Sequence, residues 1–115
     1  MAQLRTLFVS HGAPTLATDD GAAHRFLKDC GKSLEKLRAI LMLSAHFEAP
    51  TATVTTSPAP ETFYDFGGFP EELYQIKYAA PGEPGLANRV GTLLKAGGIP
   101  ARADPARGLD HGAWV

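Results

Sequence analysis

The sequence has few of the features that mark secreted, membrane or nucleic-acid-binding proteins. A single cysteine, Cys30, excludes an intrachain disulfide and favours a reducing, cytoplasmic location. The apolar runs are far shorter than the about 20 residues of a transmembrane helix, and the first residues lack the layout of a signal peptide. The formal net charge of -1, with scattered basic residues, gives no electrostatic reason to expect nucleic acid or an anionic membrane as a partner.

The remaining composition is that of an ordinary globular protein. Hydrophobic residues make up 44% of the 115-residue chain and charged residues 20%. This length suffices for one domain at most. The last residues, Trp114 and Val115, are apolar and carry no polar tail, which predicts that the chain stops inside an element of a larger domain.

The hydrophobic pattern predicts an α/β fold. Continuous apolar runs joined by an amphipathic helix are typical of parallel strands that are covered on both faces. We therefore expect a three-layer α/β/α arrangement with a mostly parallel sheet. The predicted strands are Leu4–Ser10, Ala39–Ser44, Thr51–Thr56 and Ile99–Ala103, and the predicted helices are Ala22–Leu37 and Pro84–Ala96.

A long aromatic loop separates the third predicted strand from the last predicted helix. Residues 57–82 lose regular periodicity, yet they hold most of the Phe and Tyr residues of the chain. Only Glu71–Ile76 has the pattern of a short helix. A long loop with its own packing is often functional, so we expect this one to help form a site.

Two histidines follow directly after predicted strands. His11 comes after the first apolar run and His46 after the second. In an open α/β sheet, ligands bind in the crevice beyond the carboxyl ends of the strands, where the two imidazoles would converge. Neutral imidazole is a common ligand of Zn and Fe, so the pair predicts part of a metal site. The alternative is that each histidine only makes hydrogen bonds at the end of a strand.

His111 lies in a different context, between Asp110 and Gly112. A turn at this point would let an imidazole approach a substrate and shuttle protons near neutral pH. The alternative is that Asp110 caps a helix and that the histidine after it is incidental. The fourth histidine, His24, lies off the apolar stripe of its predicted helix and is expected at the surface.

Four stretches of the sequence together resemble the class III extradiol ring-cleavage dioxygenases, most closely the branch similar to 4,5-DOPA dioxygenase. The stretches are SHGAPTLA at Ser10–Ala17, LSAHFEAP at Leu43–Pro50, ETFYDFGGFPEELYQIKYAAPG at Glu61–Gly82 and RGLDHGAWV at Arg107–Val115. The resemblance implies that His11 and His46 are the first two metal-site histidines of the family. It also implies that His111, in the family's DHG motif, is an active-site residue with an acid–base or hydrogen-bonding role. The loop Asp65–Pro70 would then help shape the site.

The resemblance implies a chemistry as well. The expected substrates are a catecholic, DOPA-like ring and O2, with non-haem Fe(II) for catalysis and zinc as another metal for the site. Family members are longer, and their remaining metal ligand and a further active-site histidine lie in the half that would follow Val115. Residues 1–115 are therefore expected to form the N-terminal portion of a single catalytic domain, truncated relative to the family domain.

Two other functions remain open from the sequence. The first is a truncated, catalytically inactive protein that forms a homo-oligomer and so covers its incomplete edge. The second is a zinc-binding protein or a metal-dependent hydrolase, which the histidines alone would support.

Overall fold

A computed structural model describes residues 6–34 and 36–115 of the chain. The helices are Ala22–Ser33 (α1), Pro84–Ala96 (α2) and the short His111–Trp114 (α3), and the strands are Ala52–Thr55 (β1) and Ala101–Asp104 (β2). Two 3-10 helices, Pro14–Ala17 and Glu71–Gln75, lie in the loops. Among these described residues, no helix combines the length and the apolar character that crossing a membrane requires.

Strands β1 and β2 form a parallel two-stranded sheet. Ala52 lies opposite Ala101 and Thr55 opposite Asp104, so the register is continuous along both strands. Helix α2 comes between them in sequence and packs against both. This parallel pairing with a connecting helix confirms the predicted α/β class.

Local sequence explains the bounds of α2, which match the prediction. The carboxylate of Glu83 accepts a hydrogen bond from the backbone N–H of Gly85, and Pro84 occupies the first turn, where its missing N–H costs nothing. At the other end, Gly98 adopts a φ of 80°, in the left-handed region that favours glycine. The chain then enters β2 two residues later than predicted.

The two apolar runs before His11 and His46 are not strands, which corrects the prediction. Leu4 and Arg5 lie outside the described residues, but 6–10 and 39–44 have no strand assignment. The described part of the chain pairs no strand with these runs, and their residues from 6 to 10 and from 39 to 43 are exposed. Phe8 is 103% exposed and Leu43 is 85% exposed. A strand needs a neighbour to satisfy its backbone groups, and apolar character alone does not supply one.

Helix α1 is shorter and less buried than predicted. It ends at Ser33 rather than at Leu37, because Leu34 turns to an extended backbone with ψ of 137°. Glu35, within the predicted helix, lies outside the described residues. No residue of α1 is buried, and Phe26 on its predicted apolar face is 68% exposed.

The most deeply buried residues lie instead around α3 and the aromatic loop. Leu73, in the 3-10 helix Glu71–Gln75, is fully buried, and Trp114 is 8% exposed. The aromatic cluster consists of Tyr64, Phe66, Phe69, Tyr74 and Trp114, whose rings meet at centroid distances of 5.2–6.4 Å. The predicted loop therefore has its own packing, as expected, and it packs against α3.

Candidate metal centre

Three imidazoles from distant parts of the chain converge at one point. The Nε2 atoms of His11 and His46 lie 3.0 Å apart. One ring nitrogen from each of His11, His46 and His111 lies within 4.8 Å of the others. His24 is not part of this group, because its Nδ1 bonds to the carbonyl oxygen of Leu16 at 2.8 Å. The structure thus brings together the three histidines that the sequence singled out.

The three rings differ in orientation and exposure. His46 and His111 face each other with centroids 4.0 Å apart and planes inclined by 34°, whereas His11 meets His111 edge-on at 76°. His111 is buried, His11 is half-buried and His46 is exposed. The group is therefore open to solvent on the side of His46.

A glycine and a proline set the position of His11. Gly12 has a φ of 62°, so the chain turns sharply after the histidine in a conformation that other residues adopt at a cost. Pro14 is buried and begins the 3-10 helix Pro14–Ala17. This turn allows the imidazole to project from an otherwise exposed segment toward His46.

His46 lies in a turn that Ser44 organises. The Ser44 Oγ accepts a hydrogen bond from the backbone N–H of His46 at 3.1 Å. The backbone carbonyl of Ser44 accepts a hydrogen bond from the backbone N–H of Phe47 at 3.2 Å. The same hydroxyl donates to Asp110 Oδ1 at 2.6 Å. The turn that carries His46 is therefore bonded directly to the segment that carries His111.

His111 is the first residue of α3, and Asp110 caps that helix. The Asp110 carboxylate accepts a hydrogen bond from the backbone N–H of Gly112 at 2.9 Å. The helix-cap interpretation of Asp110 is thus correct. The histidine after it lies against His11 and His46.

The carboxylate that meets His111 belongs to Asp65 in the aromatic loop. Asp65 Oδ1 accepts a hydrogen bond from the backbone N–H of His111 at 2.9 Å. It also lies 2.9 Å from His111 Nδ1, an ion-pair distance, although that contact is not aligned as a hydrogen bond. Asp65 therefore fixes the backbone of His111 and lies beside the Nδ1 atom of its ring.

The aromatic loop is held against α3 by a short parallel ladder. The backbone N–H of Phe63 donates to the carbonyl of Leu109, and the N–H of Leu109 donates to the carbonyl of Glu61, both at 2.8 Å. The indole N–H of Trp114 donates to the carbonyl of Phe63 at 3.1 Å. These bonds bring Asp65 next to His111.

The electrostatics of the site favour a neutral His11 and an ionised Asp65. Partial burial, together with the nearby His111 and His46, lowers the pKa of His11 below its usual value. Burial raises the pKa of Asp65, but the backbone hydrogen bond and the ring of His111 outweigh it, so the pKa of Asp65 is lowered. A neutral imidazole has a free nitrogen lone pair, which is the form that binds a metal.

The donor set fits a transition-metal ion. When two nitrogens bind the same Zn or Fe ion, each at about 2.1 Å, and the N–metal–N angle is near 90°, the two nitrogens lie about 3 Å apart. The Nε2 atoms of His11 and His46 are 3.0 Å apart. Imidazole donors suit Zn, Fe and Cu rather than Mg or Ca.

Comparison with known proteins identifies the family. The profile of the family described as "Catalytic LigB subunit of aromatic ring-opening dioxygenase" matches residues 5–115. The 4,5-DOPA dioxygenase extradiol of Beta vulgaris is 46% identical over 114 residues, which cover 96% of this chain and 42% of that protein. The protein of the same name from Escherichia coli is 40% identical over 113 residues, which cover 97% and 41% respectively.

A more distant relative, the dioxygenase tasH of Hapsidospora irregularis, is 39% identical over 79 residues, or 68% of this chain. The chain therefore belongs to the LigB family of aromatic ring-opening dioxygenases, which confirms the resemblance. The chain spans about two fifths of the length of the first two relatives.

Sequence reasoning missed three residues that organise the site. Asp65 falls in the loop that is expected to shape the site, but no pattern predicts its partner, and no pattern predicts a role for Ser44 or Arg107. One signal was present, because Asp65 is the lone charged residue in the stretch from Phe63 to Pro70. A carboxylate in an otherwise apolar segment needs a partner when it is buried.

Proposed function

We propose that this chain provides the N-terminal part of the active site of a metal-dependent extradiol dioxygenase that opens a catecholic ring with O2. The observation that carries the proposal is the 3.0 Å approach of the Nε2 atoms of His11 and His46. In this proposal the two histidines are metal ligands, and residues 1–115 form one portion of a single catalytic domain. The names of the relatives support a DOPA-like substrate.

The metal of the active protein is proposed to be non-haem Fe(II). Bound at His11 and His46, it would supply the redox chemistry with O2 and binding positions for the two catechol oxygens. Zinc suits the same imidazoles but has no redox activity, so zinc-loaded protein should be inert toward O2.

His111 is proposed to handle protons. Its ring lies 4.0 Å from that of His46, and Asp65 lies on its Nδ1 side. An imidazole oriented in this way can accept the proton of a catechol hydroxyl and later return it. Phe66 meets the His111 ring at 89° with centroids 5.5 Å apart, so an apolar ring packs against this imidazole.

The proposal is tested on the purified chain loaded with Fe(II) under anaerobic conditions. Oxygen consumption and the absorbance of a ring-opened product after addition of O2 and DOPA would show that residues 1–115 suffice for ring opening, and the zinc-loaded chain should give neither. Fe(II) binding should be abolished by His11→Ala and by His46→Ala. His111→Ala should retain metal and lose ring opening.

The matched control is His24→Ala, because His24 is half-buried and lies outside the group. This variant should bind metal like the unchanged protein. Metal affinity retained in both His11→Ala and His46→Ala would reject the site. Another outcome is that metal binding depends on these histidines but the iron-loaded chain opens no ring. This outcome would favour the alternatives of an inactive or a zinc-binding protein for the chain by itself.

The exposed apolar segments support a further part of the proposal, a homo-oligomer. Leu7, Phe8 and Val9 are 52%, 103% and 55% exposed, and Leu43 is 85% exposed. Exposed apolar side chains in such number are typical of an interaction surface. We expect a concentration-dependent mass above that of one chain in light scattering after gel filtration, and a constant monomer mass would contradict it. A cytoplasmic location, which suits the lone Cys30, also belongs to the proposal.

A further inference from the structure

One buried carboxylate contacts both segments that carry His46 and His111. Asp110 is 2% exposed, and its Oδ1 accepts hydrogen bonds from Ser44 Oγ at 2.6 Å and from Gly112 N at 2.9 Å. Ser44 and Asp110 are 66 positions apart in the chain. The hydrogen bond between them is thus a long-range contact that joins the segment of His46 to the segment of His111.

The contacts of Ser44 carry the effect of this carboxylate to His46. The Ser44 hydroxyl donates its single proton to Asp110 and accepts from the backbone N–H of His46 at 3.1 Å. Because the hydroxyl bonds on both sides, moving Asp110 would move the turn that holds His46. As the cap of α3, Asp110 also sets the backbone of His111, the next residue.

Arg107 balances the charge of Asp110. Its NH2 group lies 3.1 Å from Asp110 Oδ2, and its side chain is 20% exposed. The guanidinium also lies over the rings of Phe47 and Phe63, at 4.3 Å and 4.9 Å from their centroids. A buried carboxylate with three partners keeps a fixed position, because a lost partner would leave a charge without compensation.

We propose that Asp110 is a positioning residue that sets the distance between the His46 and His111 imidazoles, acting through Ser44 on one side and through the cap of α3 on the other. The inference rests on the proposed metal site and adds to it a residue outside the ligand set. Groups that hold ligands in place typically change metal affinity by about 10- to 100-fold when they are removed.

The test compares two serine variants by titration with Co2+, whose absorption bands in the visible range report the geometry around the ion. Ser44→Ala removes the link between Asp110 and His46 and should weaken Co2+ binding about tenfold, with a change in the bands. The matched control is Ser57→Ala. Like Ser44, Ser57 accepts a hydrogen bond through its Oγ from the backbone N–H two residues later in the chain, here that of Ala59 at 3.2 Å. Ser57 lies outside the site. This variant should bind Co2+ like the unchanged chain.

A second variant tests whether Ser44 acts through Asp110. Asp110→Asn keeps the shape and one oxygen, and it should also weaken Co2+ binding. If Ser44 acts through Asp110, the double variant Ser44→Ala/Asp110→Asn should bind Co2+ no more weakly than Asp110→Asn alone. Additive losses of Co2+ affinity would contradict the link. All titrations are run at a temperature at which Trp114 fluorescence shows folded protein.

The outcomes separate this inference from the proposed function. One outcome is that His46→Ala abolishes Co2+ binding while Ser44→Ala and Ser57→Ala bind Co2+ equally well. This outcome would overturn the role of Asp110 but not the metal site. A chain that binds no Co2+, or that binds it equally in His46→Ala, would overturn both. Lower thermal stability of Ser44→Ala with unchanged affinity and bands would also overturn the inference, since it would show a purely structural role.

Discussion

Asp65 and His111 form the closest carboxylate–imidazole pair of the site, although they lie 46 positions apart. One oxygen of Asp65 accepts the backbone N–H of His111 and lies 2.9 Å from its Nδ1. Asp110, the neighbour of His111 in sequence, instead bonds to Ser44, Gly112 and Arg107. The two acidic residues therefore have separate partners: Asp65 bonds to His111, and Asp110 bonds to Ser44, Gly112 and Arg107.

The lowered pKa of Asp65 predicts a specific response to acid. The pKa of Asp65 is lower in the folded chain than its ordinary value of 3.8. Such a carboxyl stabilises the fold at pH values above 3.8, and this stabilisation is lost as the pH falls through the pKa of the folded chain. Asp65→Asn has no such group. Its free energy of unfolding should therefore fall less than that of the unchanged chain between pH 5 and pH 2.

This prediction is measured by urea unfolding in the presence of a chelator, with Trp114 fluorescence as the signal. Asp29→Asn is the control, because the Asp29 side chain is 77% exposed and lies on α1, away from the site. It should follow the unchanged chain at every pH. If Asp65→Asn lost stability in parallel with the unchanged chain, the pair with His111 would not be a stabilising contact.

Gly112 is expected to tolerate no side chain. A Cβ at this position would lie 2.2 Å from Ser44 Oγ and 3.1 Å from His46 Cδ2, both in the turn that carries a proposed ligand. Gly112→Ala should lower the free energy of unfolding by about 1–3 kcal/mol through overpacking, and it should weaken metal binding as well. Chemical unfolding and Zn2+ titration measure the two effects.

Gly91→Ala gives a control of opposite sign. Gly91 lies within α2, and an added Cβ there would meet nothing within 4 Å. Alanine is a better helix former than glycine, so this variant should gain about 0.5–1 kcal/mol and keep its metal affinity. Equal behaviour of the two variants would contradict the close approach at Gly112.

The Tyr64 hydroxyl is expected to stabilise the aromatic loop. It donates a hydrogen bond to the carbonyl of Ile76, and its ring meets that of Trp114 at a centroid distance of 5.9 Å. Tyr64→Phe keeps the ring and leaves the carbonyl without this donor, so it should cost about 1 kcal/mol in thermal unfolding. Tyr78→Phe, at a side chain that is 40% exposed, should change little.

Arg107 is expected to be irreplaceable by lysine. The planar guanidinium contacts the rings of Phe47 and Phe63 while it bonds to Asp110, which the compact ammonium of lysine cannot reproduce. Arg107→Lys should destabilise the fold by about 1–2 kcal/mol, measured by urea unfolding. The control is Arg102→Lys, on the exposed side of β2, and a similar loss there would show that the contacts of Arg107 are not special.

Local sequence predicted the elements whose determinants are close together in the chain. Helix α2 has its cap, its first-turn proline and its terminal glycines within about one turn of its ends, so its bounds were predicted correctly. The strands β1 and β2 were located to within two residues. The runs before His11 and His46 were misassigned, because apolar character predicts burial only where another element supplies a partner.

The candidate site was predictable in its residue types and not in its contacts. The positions of His11, His46 and His111 follow from motifs that can be read in the printed sequence. Their convergence within 4.8 Å and the pairing of Ser44 with Asp110 are long-range contacts, and the pairing of Asp65 with His111 accompanies the ladder that aligns Glu61–Phe63 with Leu109. Side chains 46 and 66 positions apart meet only when the backbone between them is folded, so the tertiary structure alone decided which carboxylate serves which histidine.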